Sequence, residues 1–167
     1  MRLSPELVPR PLWWRSAYRL LARREWEAIR RDVLDEAGSA CVACGEKPEK
    51  GLTCHEQWRY DDDDHVATLV GFECVCGRCS LAHHIGLASA IGPEAESGAR
   101  ERLAVINGIS EVEVDRLLKD AFAVWRRRSM ADWGQRVHPD LASRYPALAV
   151  LDSAVTEARP EQVDEAE

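Results

Sequence analysis

The chain has 167 residues, 46% of them apolar, with 22 Lys and Arg against 29 Asp and Glu for a formal charge of −7. That length suits one domain with a real core. No apolar run approaches the ~20 residues that span a bilayer, and the start MRLSPELVPR lacks the apolar stretch of a signal peptide, so a cytoplasmic protein with no membrane partner is expected. The acidic total argues against a protein whose main business is coating phosphate backbones. Its acid, however, gathers between Asp32 and Asp64 and after Leu151, leaving basic stretches from Arg2 to Arg31 and at Arg126, Arg127 and Arg128.

Pro9 to Trp14 reads as an extended lead-in whose tryptophan pair packs on the body. Across 16–37, Tyr18, Leu21, Trp26, Ile29 and Val33 recur at helical spacing and Gly38 supplies a stop. Between Cys41 and Cys79 the texture changes. A run from Leu52 to Tyr60, an acidic turn at Asp61 to Asp64 and a run from Val66 to Val75 predict a β-hairpin between two cysteine knuckles. Ser80 to Ile91 predicts a helix starting at the second knuckle. Pro93 to Ile106, closed by Asn107 and Gly108, predicts another. Ser110 and Glu113 make a capping box for a helix reaching Met130, with Val114, Leu117, Leu118, Phe122 and Trp125 on its inner face. These last two form a helical hairpin over 93–130, and the metal-bearing core spans 40–92. The expected fold is thus α+β, one domain over 1–150, with an acidic, disordered tail over 151–167.

Cysteines at 41 and 44, and again at 76 and 79, form two CxxC pairs. In the cytoplasm such pairs point to a metal rather than to disulfides. Zinc favours four thiolates in a tetrahedron, and a hairpin between two knuckles delivers them. A redox CxxC would need a βαβ context and only one pair. Cys41, Cys44, Cys76 and Cys79 are therefore the expected ligands of a structural zinc, in a small treble-clef-like module. The C-x-C spacing of Cys74 to Cys76 leaves Cys74 as an alternative ligand, whereas the bland reading of Cys54 and Cys74 is buried small hydrophobes.

His55 and Glu56 lie on the first strand, and His83 and His84 on the helix after Cys79. The chain reads C-H-E-Q-W-R-Y-D-D at 54–62, C-G-R-C-S-L-A-H-H-I-G at 76–86, L-A-V-I-N-G-I-S at 103–110 and A-F-A-V-W-R-R-R-S at 121–129. It resembles a bacterial branch of the HNH endonuclease family, the ββα-metal or His-Me finger fold. The resemblance covers about 11–133, including E-W-E-A-I-R-R at 25–31. It implies a second divalent metal, Mg²⁺, Mn²⁺ or Zn²⁺, with ligands at His55 and His84, and DNA or another nucleic acid as substrate.

The chain departs from the branch pattern at Ser80, where a helix histidine one turn before His84 is expected. A hydroxyl is a poorer ligand for a transition metal than imidazole. On a continuous helix His83 points about 100° away from His84, so it does not take that place. Glu56 stands where such nucleases carry a general-base histidine. Strand alternation directs it away from His55 unless a bulge intervenes. Three functions follow: a metal-dependent phosphodiesterase using His55, Glu56 and His84; a zinc-stabilised module that binds nucleic acid or protein without cutting; and the same scaffold recruited to another metal-assisted reaction. Asp61 to Asp64 with His65 read as a solvated turn, because no glycine-bearing calcium loop surrounds them. The run Arg126 to Arg128 reads as either a charged helix end or a phosphate contact.

Overall fold

The computed structural model describes residues 2–152. In chain order these form a 3-10 turn (Arg10–Leu12), α1 (Ala17–Leu20), α2 (Arg23–Glu36), β1 (Leu52–Asp61), β2 (Val66–Cys76), α3 (Gly77–His83), α4 (Ile85–Ile91), α5 (Pro93–Asn107), α6 (Glu111–Arg128), β3 (Gly134–Val137), α7 (Pro139–Arg144) and a closing 3-10 turn (Pro146–Leu151). The architecture is mixed α and β, with one sheet in the order β1-β2-β3. β1 and β2 make the expected antiparallel hairpin, and β3 adds to β2 in parallel.

The helix expected over 16–37 is two helices. Leu21 and Ala22 are extended, with ψ of 150° and 144°, so that Leu21 turns into the core. The Ala22 N–H freed by the break donates to the Glu25 carboxylate at 3.2 Å, restarting the helix. Its far end stops as the glycine predicts: Gly38 sits at φ 58°. Ser39 N–H bonds to the Leu34 carbonyl and Gly38 N–H to that of Asp35, the paired bonds of a Schellman motif. At the other capping signature, Ser110 Oγ accepts from Glu113 N–H and the Glu113 carboxylate accepts from Ser110 N–H.

The hairpin carries one irregularity of consequence. Trp58 pairs with Leu69 but Gln57 pairs with Gly71, so Val70 is an extra residue in β2. A bulge of this kind shifts the register of everything beyond it by one. Without it His55 would face Phe72; with it His55 faces Glu73. At the turn, Asp61 Oδ1 accepts from the N–H groups of Asp63 and Asp64, each at 3.0 Å. The four-aspartate run is therefore self-organised in the way the solvated-turn reading expects.

The helix expected over Ser80 to Ile91 is also divided. α3 begins earlier, at Gly77 with Cys76 as its N-cap, and stops at His83; His84 has φ −92° and ψ 51°, after which α4 resumes. β3 is not foreseen by the sequence. Four residues are too few to show an alternating pattern, and what anchors them is Trp133, fully buried with its indole N–H on the Arg128 carbonyl at 2.8 Å.

Two cores flank the sheet. On one face Trp26, Ile29 and Val33 of α2 pack with Cys54, Leu69, Cys74, Leu148 and Leu151. On the other, Val75 and the cysteine knuckles pack with Ala82, Ile85, Leu103, Val114 and Leu118. Leu3 plugs the second core and is held there by Asn107 at the end of α5: its Oδ1 accepts from the N–H groups of Arg2 at 3.0 Å and Leu3 at 3.1 Å, and its amide donates to the Leu3 carbonyl at 2.6 Å. Further along, Glu6 N–H donates to the His83 carbonyl at 2.8 Å. Of the tail expected from 151, Leu151 is buried and Asp152 accepts from Val137 N–H at 2.9 Å; the rest lies outside the described residues. Among these, no helix is long and apolar enough to cross a membrane.

Asn107→Ala leaves two backbone N–H groups and one carbonyl without their partner, so urea titration should show a loss of about 1–3 kcal/mol. Limited proteolysis should then cut first within the leading ten or so residues. Unchanged stability and an unchanged cleavage pattern would remove the anchoring role of Asn107.

Candidate metal centres

The loop between α2 and β1 delivers Cys41 and Cys44, while Cys76 closes β2 and Cys79 lies in the first turn of α3. Their sulfurs lie within 4.8 Å of one another, and those of Cys44 and Cys76 are 3.9 Å apart. A tetrahedron of Zn–S bonds of ≈ 2.3 Å has edges of about 3.8 Å, so these four cysteines can hold a metal such as zinc. The first knuckle is wrapped by its own backbone: Gly45 N–H bonds to the Cys41 carbonyl, Cys41 N–H to Glu46 and Val42 N–H to Cys74. Gly45 takes φ 78°, where a Cβ would be strained.

Charge is the limiting factor for such a cluster, because four thiolates repel. Burial pushes the Cys41 thiol up, but backbone N–H groups of Cys76 and Cys44 outweigh it and draw it down to about 7. Burial holds the Cys44 and Cys79 thiols above their ordinary value. Arg102 from α5 brings compensating positive charge, its Nε 3.3 Å from Cys79 Sγ. Glu46 in turn holds Arg102 and Arg78, at 3.2 and 2.8 Å. Cys54 and Cys74 face each other across the hairpin outside this cluster, both buried, and burial pushes the Cys54 thiol up to about 12. They behave as small hydrophobes.

A second convergence lies next to the first. His55 of β1, Glu73 of β2 and His83 at the end of α3 offer ligand atoms within 4.8 Å of one another. The His55 and His83 rings stack with centroids 4.4 Å apart. The N-terminal segment fixes both. His55 Nε2–H donates to Glu6 at 2.9 Å, and His83 Nδ1–H donates to the Ser4 carbonyl at 2.8 Å. Each imidazole thus has one nitrogen engaged by the N-terminal segment and the other not held by it, the outer-shell arrangement that orients metal-bound histidines. His83 Nε2 lies 3.3 Å from Glu73 Oε1 but in a direction that makes no hydrogen bond, and Glu6 Oε1 is likewise buried without one. Buried polar atoms in that state are rare unless something is missing between them. Burial lowers the His83 pKa, yet the Glu73 carboxylate outweighs it and the net direction is upward, while His83 holds Glu73 below the usual carboxylate range.

The site residues taken from the sequence are therefore distributed differently from the expectation. His55 is in the convergence, but Glu73 and His83 complete it where His84 and Ser80 were expected. The angular argument against His83 assumed one continuous helix, and the break at His84 removes that premise. The His84 ring instead meets His55 edge-on, with centroids 4.9 Å apart, and burial lowers its pKa to about 4, so it is neutral at pH 7. Ser80, His84, His55 and Glu56 all line a cavity of about 490 Å³ along β1. Glu56 is occupied: its two oxygens accept from Ala17 N–H at 2.7 Å and the Trp58 indole at 3.0 Å. Arg128 clasps Asp62 at 2.7 Å across the hairpin turn, a structural use of that basic run. Sequence reasoning missed Glu6, Glu73 and Arg102. Counting back from the hairpin turn gives Phe72 as the partner of His55, and only knowledge of the Val70 bulge yields Glu73.

Compared with known protein families, with curated proteins and with solved structures, the chain matches none.

Removing one thiolate leaves the others crowded around an incomplete shell. Elemental analysis should find one tightly held metal per wild-type chain, and Cys76→Ser should abolish it and cost more than about 3 kcal/mol or prevent folding, because structural zinc binding is itself folding free energy. A Cys76→Ser protein of wild-type stability would show that the four cysteines hold no structural metal.

Proposed function

We propose that the protein is an HNH-like, zinc-stapled phosphodiesterase acting on nucleic acid, with its working metal held by His55, Glu73 and His83. The four-cysteine cluster is then a structural zinc site of treble-clef type, in which a knuckle, a hairpin, a second knuckle and α3 follow one another around the ion. The observation that carries the reading is the convergence of two histidines and one carboxylate, each histidine with one ring nitrogen already bonded by the N-terminal segment. A closed shell of four thiolates stabilises a fold, whereas three protein ligands leave a coordination position open for substrate or water.

A divalent ion at this centre would stabilise the charge developing on a phosphate and make a bound water more acidic. The chain's own residues divide the remaining work. Glu6 and Ser4 hold the two imidazoles in one tautomer and orientation, so the ligands need no rearrangement on binding. His84 lies in the cavity beside His55 and, held uncharged by burial, offers a ring nitrogen that can hydrogen-bond and orient a water there. Glu56 serves as a strut that ties α1 to β1 through Ala17 and Trp58. Trp58 and Glu6 line both this cavity and a second one of about 510 Å³ that also touches Glu73, His83, Arg2 and Arg128. The centre is thus reached from two sides.

The non-catalytic alternative draws on Ser80, which leaves the helix one histidine short of the branch pattern. It keeps the zinc staple and binds a partner without hydrolysis. Incubating the full chain with single-stranded and duplex DNA and RNA across Mg²⁺, Mn²⁺ and Zn²⁺ separates the readings. Hydrolysis is expected, and Glu73→Gln and His83→Ala should each lower it by roughly 100-fold or more, because loss of one ligand from a three-ligand site removes most of its metal. His84→Ala should lower hydrolysis while leaving metal binding by calorimetry intact. Cleavage that survives both ligand variants would sink the assignment, and a wild type that cleaves nothing under any of these metals would leave the binding module.

A further inference from the structure

The lead-in before α2 carries a feature that neither metal centre uses. From Pro9 to Arg24 the chain has five arginines and no acidic residue, within a protein of charge −7. On this stretch stand the most exposed aromatic groups of its N-terminal half: Trp14 is 68% and Tyr18 65% exposed, with Trp13 beside them at 48%. A bulky residue seldom takes a left-handed backbone, yet Trp14 sits at φ 68°, which turns its ring outward instead of into the core. The Arg19 guanidinium lies 4.1 Å over that ring, and the ring is otherwise open to solvent. Trp13 is tethered by its indole N–H to the Val8 carbonyl at 2.9 Å, which steadies the base of the patch. Tyr18 and Ser16 belong at once to this surface and to the lining of the cavity that holds His55 and His84.

We propose that Trp14 and Tyr18, framed by Arg19, Arg23 and Arg24, form a stacking platform for single-stranded nucleic acid whose strand leads past Tyr18 into the His55 and His84 cavity. As the substrate side of that site, the platform rests on the nucleic-acid reading given above. Its chemistry is specific in two respects. Exposed aromatic faces bind the π-faces of unpaired bases without regard to sequence, and interleaved arginines neutralise the backbone. A duplex hides its base faces, so it offers the arginines phosphates but gives the rings nothing. The stretch from Pro9 to Arg24 carries arginine as its only charged residue type, which suits a polyanionic strand better than a protein partner of mixed charge.

The test is fluorescence anisotropy of a labelled oligothymidylate of about 20 nucleotides with the full chain, without added divalent metal, over a salt series from about 50 to 200 mM. Binding to the single strand is expected, weaker to a duplex of equal length, and weaker still to polyphosphate, which has the charge but no bases. Trp14→Gly removes the ring at a backbone angle that glycine adopts freely, so it should fold normally and weaken binding by roughly 5- to 100-fold. Arg19→Ala should reduce the slope of log affinity against log salt by about 0.7. Glu73→Gln should retain binding while losing hydrolysis. Equal affinity for duplex or polyphosphate, or full affinity in Trp14→Gly, would overturn the platform. So would absence of oligothymidylate binding together with a dimer in sedimentation that Trp14→Gly abolishes, which would assign the surface to a second copy of the chain. Binding without hydrolysis would sustain the platform and remove only the phosphodiesterase, whereas hydrolysis indifferent to Trp14 would do the reverse.

Discussion

Four thiols within 4.8 Å of one another are held where a loop, a strand end and a helix start meet, and this crowding governs the rest of the molecule. Cys76 is at once the last residue of β2, the N-cap of α3 and a member of the cluster. The direction in which α3 leaves the sheet is therefore tied to the positions of Cys41 and Cys44, and with it the position of His83 one helix-length away. The repulsion among ionised sulfurs is relieved by Arg102 and by backbone N–H groups around Cys41, and a bound dication would relieve it further. Without such relief the thiols must stay protonated, and the junction loses the charge-assisted contacts that hold it together.

The histidine centre depends on that junction but is closed by something remote in sequence. Leu3 is pinned by Asn107, more than a hundred residues away, and the same segment then places Ser4 under His83 and Glu6 against His55. A hairpin and helix alone would leave two imidazoles exposed and free to rotate. The N-terminal segment converts them into oriented, half-satisfied groups, which is the difference between histidines near one another and a site.

Net charge is a poor guide to what such a protein meets. Part of the acid of this chain is engaged in its own structure: the aspartate turn bonds to itself and to Arg128, Glu46 to Arg78 and Arg102, and Glu36 to Arg144. Each pairing removes an acidic group from competition. In the arginine stretch beginning at Arg10, the guanidinium of Arg10 lies over Trp125 and that of Arg19 over Trp14.

Local chemistry was legible in the sequence wherever it acts over a few residues. The glycine stop at Gly38, the capping box at Ser110 and the two runs of the hairpin state interactions between near neighbours and stand in the structure as read, and the two CxxC pairs bring four cysteines close enough to hold a metal. What tertiary structure alone decided depends on contacts that spacing does not encode. The burial of Leu21 splits one predicted helix, and another breaks at His84, whose backbone leaves the helical orientation while His83 keeps its place at the end of α3. The Val70 bulge exchanges Phe72 for Glu73 opposite His55. β3 exists because Trp133 is buried, and Glu6 reaches His55 because Asn107 holds Leu3. Sequence determined which residues could serve as ligands; the register and the long-range anchors determined which of them meet, since a shift of one residue on a strand or a quarter-turn on a helix points a side chain somewhere else.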